Sequence, residues 1–492
     1  MSASPRHSTP TMASSVLPRR NGTSGKSRTI SESSRGHGDR ATGSYFEHST
    51  AKRINTDSVF TAALKKQYPG LELIVVPDYQ CDLLAYAGAG HATFNVIHDN
   101  GEFPSSLETT VYLAPARRMD GNKGQLGAQV VFGKFLYQWE GQEFVVYLVD
   151  GRDGADAYPH VKNFYILTAN IHKAEQLVLA TGSWASDLHD EVWVFDQGNF
   201  EKDRELWKSA QKSTWDAVIL DPDMKEQLIN DHVSFFESKQ TYKNLGVPWK
   251  RGLIYHGPPG NGKTISIKAT MHMLADRNPT VPTVYVRSLE SYMGPQYSLH
   301  VIFEKAREFA PCYLVFEDID SLVTPIVRSY FLNEIDGLKE NDGIFIIAST
   351  NHLDLLDPGI AKRPSRFDRK YYFPDPNLEQ REAYCRFWQK KLKSNKEIEF
   401  PDELCKAIAE ITDKFSFAYI QEAFVAALLA IAGRSKEKPT KANCEENWVL
   451  VSDGKVSGVT QEEGDLSKLE LWVEIKKQVK ILREGMEDED DA

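Results

Sequence analysis

Gly257-Pro258-Pro259-Gly260-Asn261-Gly262-Lys263-Thr264 is a complete GxxxxGK[ST] string, and its reading decides the fold. An apolar run, Leu253–Tyr255, precedes it and a helix-compatible run, Ile265–Leu274, follows, so the string sits between a strand and a helix. Glycines in that setting let backbone N–H groups converge on phosphates at a helix N-terminus, where the dipole favours negative charge. Lys263 is then placed to reach the β- and γ-phosphates of a nucleotide, and the Thr264 hydroxyl to ligate Mg²⁺.

Working outward, a second apolar run, Tyr313–Phe316, leads into Glu317-Asp318-Ile319-Asp320. Carboxylates at the C-terminal edge of a strand beside a phosphate loop are expected to hold the shell of the Mg²⁺ and to orient the attacking water. Strand alternation sends neighbouring side chains to opposite sides, so Glu317 and Asp318 are expected to divide these jobs and not to exchange them readily. A third run, Ile344–Ala348, leads into Ser349-Thr350-Asn351, and Asn351 could touch the γ-phosphate or the water.

Helices alternate with apolar strands over residues 206–376, the pattern of a parallel α/β sheet. A helical stretch covers 377–434 and a polar insert 435–465. A last helix spans 466–486, with Leu469, Trp472, Ile475, Val479 and Leu482 at helical spacing, and residues 487–492 form an acidic tail. In the helical stretch, Ser416 is placed to cap a helix, with Phe415 and Ile420 flanking it. No arginine starts that helix, so no catalytic residue is assigned there.

Residues 50–205 read as a strand-rich α+β domain for a substrate or partner. Phe132–Trp139 and Glu143–Val149 are expected to form a hairpin. Phe164–Leu167, Ile171–Ala180 and Val192–Phe195 are expected to form a strand–helix–strand unit. Ahead of it, residues 1–49 are rich in Ser and Arg. Twenty-one of the first 40 residues are Ser, Thr, Gly or Pro, too few apolar groups to offset ordering, so a disordered tail is expected, with a mitochondrial presequence as the alternative.

Lys and Arg number 58 against 69 Asp and Glu, a net charge of −11, which speaks against a general polyanion binder; nucleic acid is not indicated. The longest apolar run, Ala423–Ala432, is about half of the ~20 residues a bilayer span needs, so no transmembrane segment is expected. The five cysteines are scattered and form no CxxC pair, which gives neither a disulfide framework nor a zinc site.

Further strings carry a resemblance. Tyr292-Met293-Gly294, Phe303-Glu304-Lys305-Ala306-Arg307, Ala310-Pro311-Cys312, Glu317–Leu322 and Leu355–Arg369 follow the phosphate loop in the order and spacing of the AAA ATPases. The chain resembles that family over roughly residues 215–434. The resemblance implies a parallel-sheet ATPase module with a small helical lid domain, hydrolysis of ATP with Mg²⁺, and Asn351 as the residue that senses the γ-phosphate. It places Arg363 and Arg366 at positions that reach a neighbouring subunit's ATP, which implies a homo-oligomeric ring, usually a hexamer. Tyr292-Met293-Gly294 is similar to the pore loop with which AAA unfoldases grip a polypeptide. The Glu317-Asp318 order inverts the usual Asp-Glu; by position the resemblance implies Glu317 for the metal's shell and Asp318 for the attacking water. With Gly246–Gly252 this order is similar to the BCS-type subfamily, the mitochondrial inner-membrane translocases of the folded Rieske protein. The resulting expectation is a divergent relative of that subfamily: a cytoplasmic or nuclear protein remodeller with an unfoldase-like pore loop. The alternatives are a mitochondrial or membrane-associated translocase for folded clients, and a nucleotide-gated scaffold with negligible turnover.

Overall fold

The computed structural model describes residues 16–18, 55–97, 106–115, 123–151, 162–336, 340–361, 363, 366–395, 397–436 and 466–490. Most of the expected tail over 1–49 and of the polar insert over 435–465 lies outside them, as do Lys362, Pro364 and Ser365. The chain divides into two compact units, residues 1–187 and 188–492.

The first unit is built on an antiparallel sheet. Its strands are β1 (Val16–Pro18), β2 (Glu72–Pro77), β3 (Thr93–Val96), β4 (Ser106–Leu113), β5 (Gln125–Trp139), β6 (Gln142–Asp150) and β7 (Lys162–Thr168). They run in the order β1-β5-β6-β7-β2, with β3 and β4 also paired to β5. The expected hairpin is present: β5 and β6 turn at Glu140-Gly141, where both residues have positive φ and the glycine does so without a Cβ penalty. The helices are α1 (Thr56–Gln67), α2 (Leu83–Gly88) and α3 (Ile171–Ser186). Alternation along β5 sends Phe135, Tyr137 and Trp139 to one face, where they pack with Leu83 of α2 and Ala174 and Leu177 of α3. On the other face Tyr147 and Tyr165 pack against Phe60 and Leu64 of α1.

The second unit contains β8 (Val192–Asp196), β9 (Asn199–Asp203), β10 (Arg251–His256), β11 (Thr283–Val286), β12 (Cys312–Phe316), β13 (Ile344–Thr350) and β14 (Arg369–Tyr372). The sheet order is β14-β10-β13-β12-β11-β8-β9, parallel throughout except for the terminal β8–β9 hairpin. Every residue of β12 and β13 is buried, because helices cover both faces of a parallel sheet; such strands read as continuous apolar runs. On one face lie α4 (Arg204–Gln211), α5 (Pro222–Glu237), α6 (Lys239–Leu245) and α7 (Lys263–Ala275); on the other, α8 (Pro295–Glu308), the short α9 (Ile319–Leu322), α10 (Pro325–Asp336) and the single turn α11 (Pro358–Ala361).

A small helical bundle completes this unit: α12 (Leu378–Leu392), α13 (Asp402–Ile411), α14 (Phe417–Lys436) and α15 (Glu470–Asp490). Asn377 and Gln380 form a reciprocal capping box at the start of α12, and the Tyr419 N–H donates to Ser416 Oγ at 3.3 Å, capping α14. Within α14, the segment Phe417–Arg434 is long and apolar enough to cross a membrane by length and composition, beyond the sequence expectation. Here its Ile420, Phe424, Ala427 and Ile431 fill the bundle core against Trp388, Leu471 and Ile475.

Three expectations change. The strand expected at Val192–Phe195 does not close a strand–helix–strand unit with β7; it pairs in parallel with β11, Trp193 opposite Val284. The unit boundary therefore falls at 187/188 and not at 205/206, and β8 and β9 belong to the parallel-sheet unit. The acidic run expected as a tail from residue 487 continues α15 to Asp490.

Candidate nucleotide site

β10 ends at His256 and the chain turns through the glycine-rich loop into α7, which starts at Lys263. Two of its glycines are required by geometry. Gly257 has φ +137°, and a Cβ there would run into the Phe373 backbone. Gly260 has φ +79°, and a Cβ there would stand 2.6 Å from the Ala418 Cβ. Gly260 therefore lets the loop approach the first turn of α14, bringing bundle and sheet together around one cavity.

That cavity has a volume of about 420 Å³. One wall is the loop and α7: Pro259, Gly260, Gly262, Lys263 and Thr264. A second is the C-terminal edge of the sheet: Asp318, Ser349 and Asn351. Ala217, Val218 and Ile219 form a third, and Tyr384, Phe417, Ala418 and Gln421 of the bundle the fourth. The Ala217–Ile219 and bundle walls are mostly apolar, while the sheet edge and the Lys263–Thr264 end of the loop are polar, as suits a ligand with a flat apolar part and an anionic part. Lys263 Nζ donates to the carbonyls of Gly257 (2.7 Å) and Pro258 (2.8 Å). Burial lowers its pKa from the usual lysine value, and the Asp318 carboxylate opposes that shift. Asn261 is buried and donates to Asp375 at 2.8 Å, fastening the loop to the chain beyond β14.

The two acids do part, but not by strand alternation. β12 stops at Phe316, and Asp318 adopts a left-handed conformation, φ 48° and ψ 51°. Asp and Asn tolerate that region better than other residues with a Cβ. The Asp318 N–H donates to Ser349 Oγ at 3.3 Å, and its side chain lines the cavity. Glu317 does not line it; its Oε2 accepts a hydrogen bond from the Tyr285 hydroxyl, and its Oε1 is buried with no partner among the described residues. Burial, and then the Glu317 charge, push the Tyr285 phenol pKa up. Asp320 is engaged elsewhere: it accepts from Thr350 Oγ1 at 2.6 Å, and Thr350 Oγ1 accepts from the His352 N–H, bracketing Asn351.

Arg363 and Arg366 lie outside the cavity walls. Arg366 is nearly buried, with Nε and Nη2 on Asp336 (2.9 and 2.8 Å) and Nη1 on the Gly359 carbonyl (2.6 Å). The Arg363 side chain is 59% exposed and stands 3.4 Å from the same Asp336. Burial works to raise the Asp336 pKa, but the hydrogen bond from Arg366 and the two guanidinium charges hold it below the usual value. Tyr292 is 92% exposed and Met293 55%, in a loop closed by the Gly294 N–H on the Ser291 carbonyl, and neither lines the cavity.

Several cavity residues escape a motif reading. Ser349 is visible only as the neighbour of Asn351. Ala217–Ile219 and the α12 and α14 residues carry no motif; they meet the loop through tertiary packing. For Mg²⁺ the lining fits: the Thr264 hydroxyl and the Asp318 carboxylate are hard oxygens of the kind that cation takes, and Glu317, next to Asp318 in the chain, carries a further oxygen without a partner among the described residues.

The loop after β10, the acids after β12 and the Asn after β13, on one edge of a parallel sheet, define a P-loop nucleotide-binding module. Residues 253–375 match the family model described as "ATPase family associated with various cellular activities (AAA)", and the chain carries an ATPase domain of that family, which uses ATP with Mg²⁺. The chain is 29% identical over 264 residues to a Plasmodium falciparum protein named as a candidate cell division cycle ATPase, covering 49% of this chain and 20% of that one. It is 30% identical over 196 residues to a Dictyostelium discoideum protein named as a candidate ribosome biogenesis ATPase, covering 36% of this chain and 22% of that one. The chain thus spans about a fifth of the length of these relatives.

Proposed function

We propose that the protein is an ATP-driven remodeller of other proteins that works as a ring of its own copies. The observation that carries this reading is the convergence of Lys263, Thr264, Asp318 and Asn351 on one cavity roofed by the helical bundle. In the proposed cycle Lys263 binds the phosphates, Asp318 orients the attacking water and Asn351 reads the γ-phosphate. Thr264 and Glu317 would hold Mg²⁺, which would supply charge neutralisation at the phosphates. A bundle that touches both the nucleotide and the loop at Gly260 can pass a change at the phosphates to the rest of the unit. The exposed Tyr292 supports a grip on a polypeptide, since a flat aromatic supplies apolar contact area without sequence preference. Residues 1–187 would select the client. Cytoplasmic or nuclear residence belongs to this proposal.

The Glu317-Asp318 order and Gly246–Gly252 favour a second reading within the same chemistry: a BCS-type translocase for folded clients, in mitochondria or beside a membrane. Steady-state phosphate release, nucleotide-dependent assembly by light scattering, and the location of a fluorescent fusion test these together. ATP-dependent assembly with measurable turnover is expected; assembly without turnover would turn the reading into that of a nucleotide-gated scaffold.

A further inference from the structure

β11 and β12 pair in parallel with Tyr285 opposite Val315, so both side chains stand on the same face of the sheet. That face is the one covered by α7, whose Ile267, Met271 and Leu274 share a cluster with Val315 and Tyr285. Glu317 follows Val315 by two residues, and the Tyr285 hydroxyl reaches it, donating to Oε2. The other oxygen, Oε1, is buried without a partner among the described residues. A buried carboxylate oxygen is ordinarily hydrogen-bonded, because leaving one unpaired is costly. Here one oxygen is fixed and the other is kept for something else. A glutamate also has three side-chain torsions, and a hydrogen bond to a tyrosine packed against this cluster restricts that freedom before any ligand arrives.

We propose that Tyr285 is a positioning residue for the Mg²⁺ of the nucleotide site: its hydroxyl holds Glu317 by Oε2 and leaves Oε1 to serve the metal. The proposal rests on the nucleotide reading of the cavity. It assigns Tyr285 no contact with the nucleotide, so its removal acts only where the metal is needed.

The test uses the full chain and a fluorescent ATP analogue, titrated with Mg²⁺ and, separately, in EDTA. Tyr285→Phe keeps the ring and deletes the hydroxyl. Its affinity in EDTA is expected to match wild type, while the Mg²⁺ midpoint rises about tenfold, the lower end of what a lost partner of a metal ligand costs. Glu317→Gln should raise the midpoint as well, and adding Tyr285→Phe to it should shift nothing further, because Tyr285 acts through Glu317. An unchanged midpoint in Tyr285→Phe overturns the proposal, as does an equal loss of affinity in EDTA, or a full additional shift in the double variant. Wild type that binds no nucleotide overturns the nucleotide reading itself; wild type with Mg²⁺-dependent binding and an indifferent Tyr285→Phe overturns this proposal alone.

Discussion

Asp318→Asn isolates the water-orienting carboxylate from everything else position 318 does. The residue is left-handed, with φ 48°, and asparagine is as much at home there as aspartate, so the substitution adds no backbone strain. The backbone N–H that donates to Ser349 is also untouched. What is lost is a group able to accept a proton from, or align, a water at the cavity edge. Such a group contributes at least ~100-fold, about 2.7 kcal/mol of barrier. Phosphate release should fall by at least that factor. Affinity for the ATP–Mg²⁺ complex should stay close to wild type, because the loop and Lys263 are unchanged. Asp318→Ala provides the control for strain: alanine in the left-handed region costs roughly 1 kcal/mol, lowering the midpoint of thermal unfolding by about 1–2 °C for a unit of this size. Normal turnover in Asp318→Asn, with Glu317→Gln instead giving a clean ATP-bound trap, would refute the reasoning and exchange the two roles.

Lys263→Ala removes the ammonium that now bonds the Gly257 and Pro258 carbonyls, and nucleotide binding should be lost in a fluorescence titration; retained affinity would remove the phosphate assignment. Arg366→Ala breaks three hydrogen bonds to Asp336 and Gly359 and should lower the unfolding midpoint, whereas the exposed Arg363→Ala should leave it unchanged and suppress turnover; the opposite pattern would count against Arg363 as the guanidinium offered to a neighbour. Burial holds the His232 imidazole neutral, its pKa lowered to about 4 from 6.5, so between those values the unfolded chain binds the extra proton and stability falls as pH drops. His232→Phe, which keeps a ring against Phe345, should flatten that loss between pH 6.5 and 4.5 in urea denaturation; an unchanged slope would show that other groups carry it.

The sheet's centre was legible because β12 and β13 are covered on both faces and so are written as unbroken apolar runs ending in polar residues. The phosphate loop was legible because its glycines answer to backbone geometry that no other residue meets. What sequence could not reveal was membership. Val192–Phe195 reads as a strand by local pattern, but which sheet it joins depends on pairing with Thr283–Val286, about ninety residues on, and that placed the unit boundary wrongly. Nor could it reveal the cavity's fourth wall, since Tyr384 and Gln421 reach it through tertiary packing, with Gly260 letting the start of α14 approach the loop closely. Arg363 and Arg366 look equivalent in the string and are not, because Asp336, thirty residues upstream of Arg366, captures one of them far more completely than the other.

The order Glu317-Asp318 acquires a physical sense from its surroundings. Sequence reasoning separated the acids by strand alternation, but the strand has already ended, and the parting comes from a left-handed residue at 318. That conformation penalises most side chains and suits aspartate, whose short carboxylate lines the cavity directly. The longer acid stands at 317, where reach is useful: Oε2 meets the hydroxyl of Tyr285 on the neighbouring strand. An aspartate at 317 would be one methylene short of that hydroxyl, and a glutamate at 318 would have to fold a longer chain into the same left-handed turn. Each acid thus matches the backbone and the partner it has, so the inverted order is compatible with hydrolysis and does not by itself argue for a silent site.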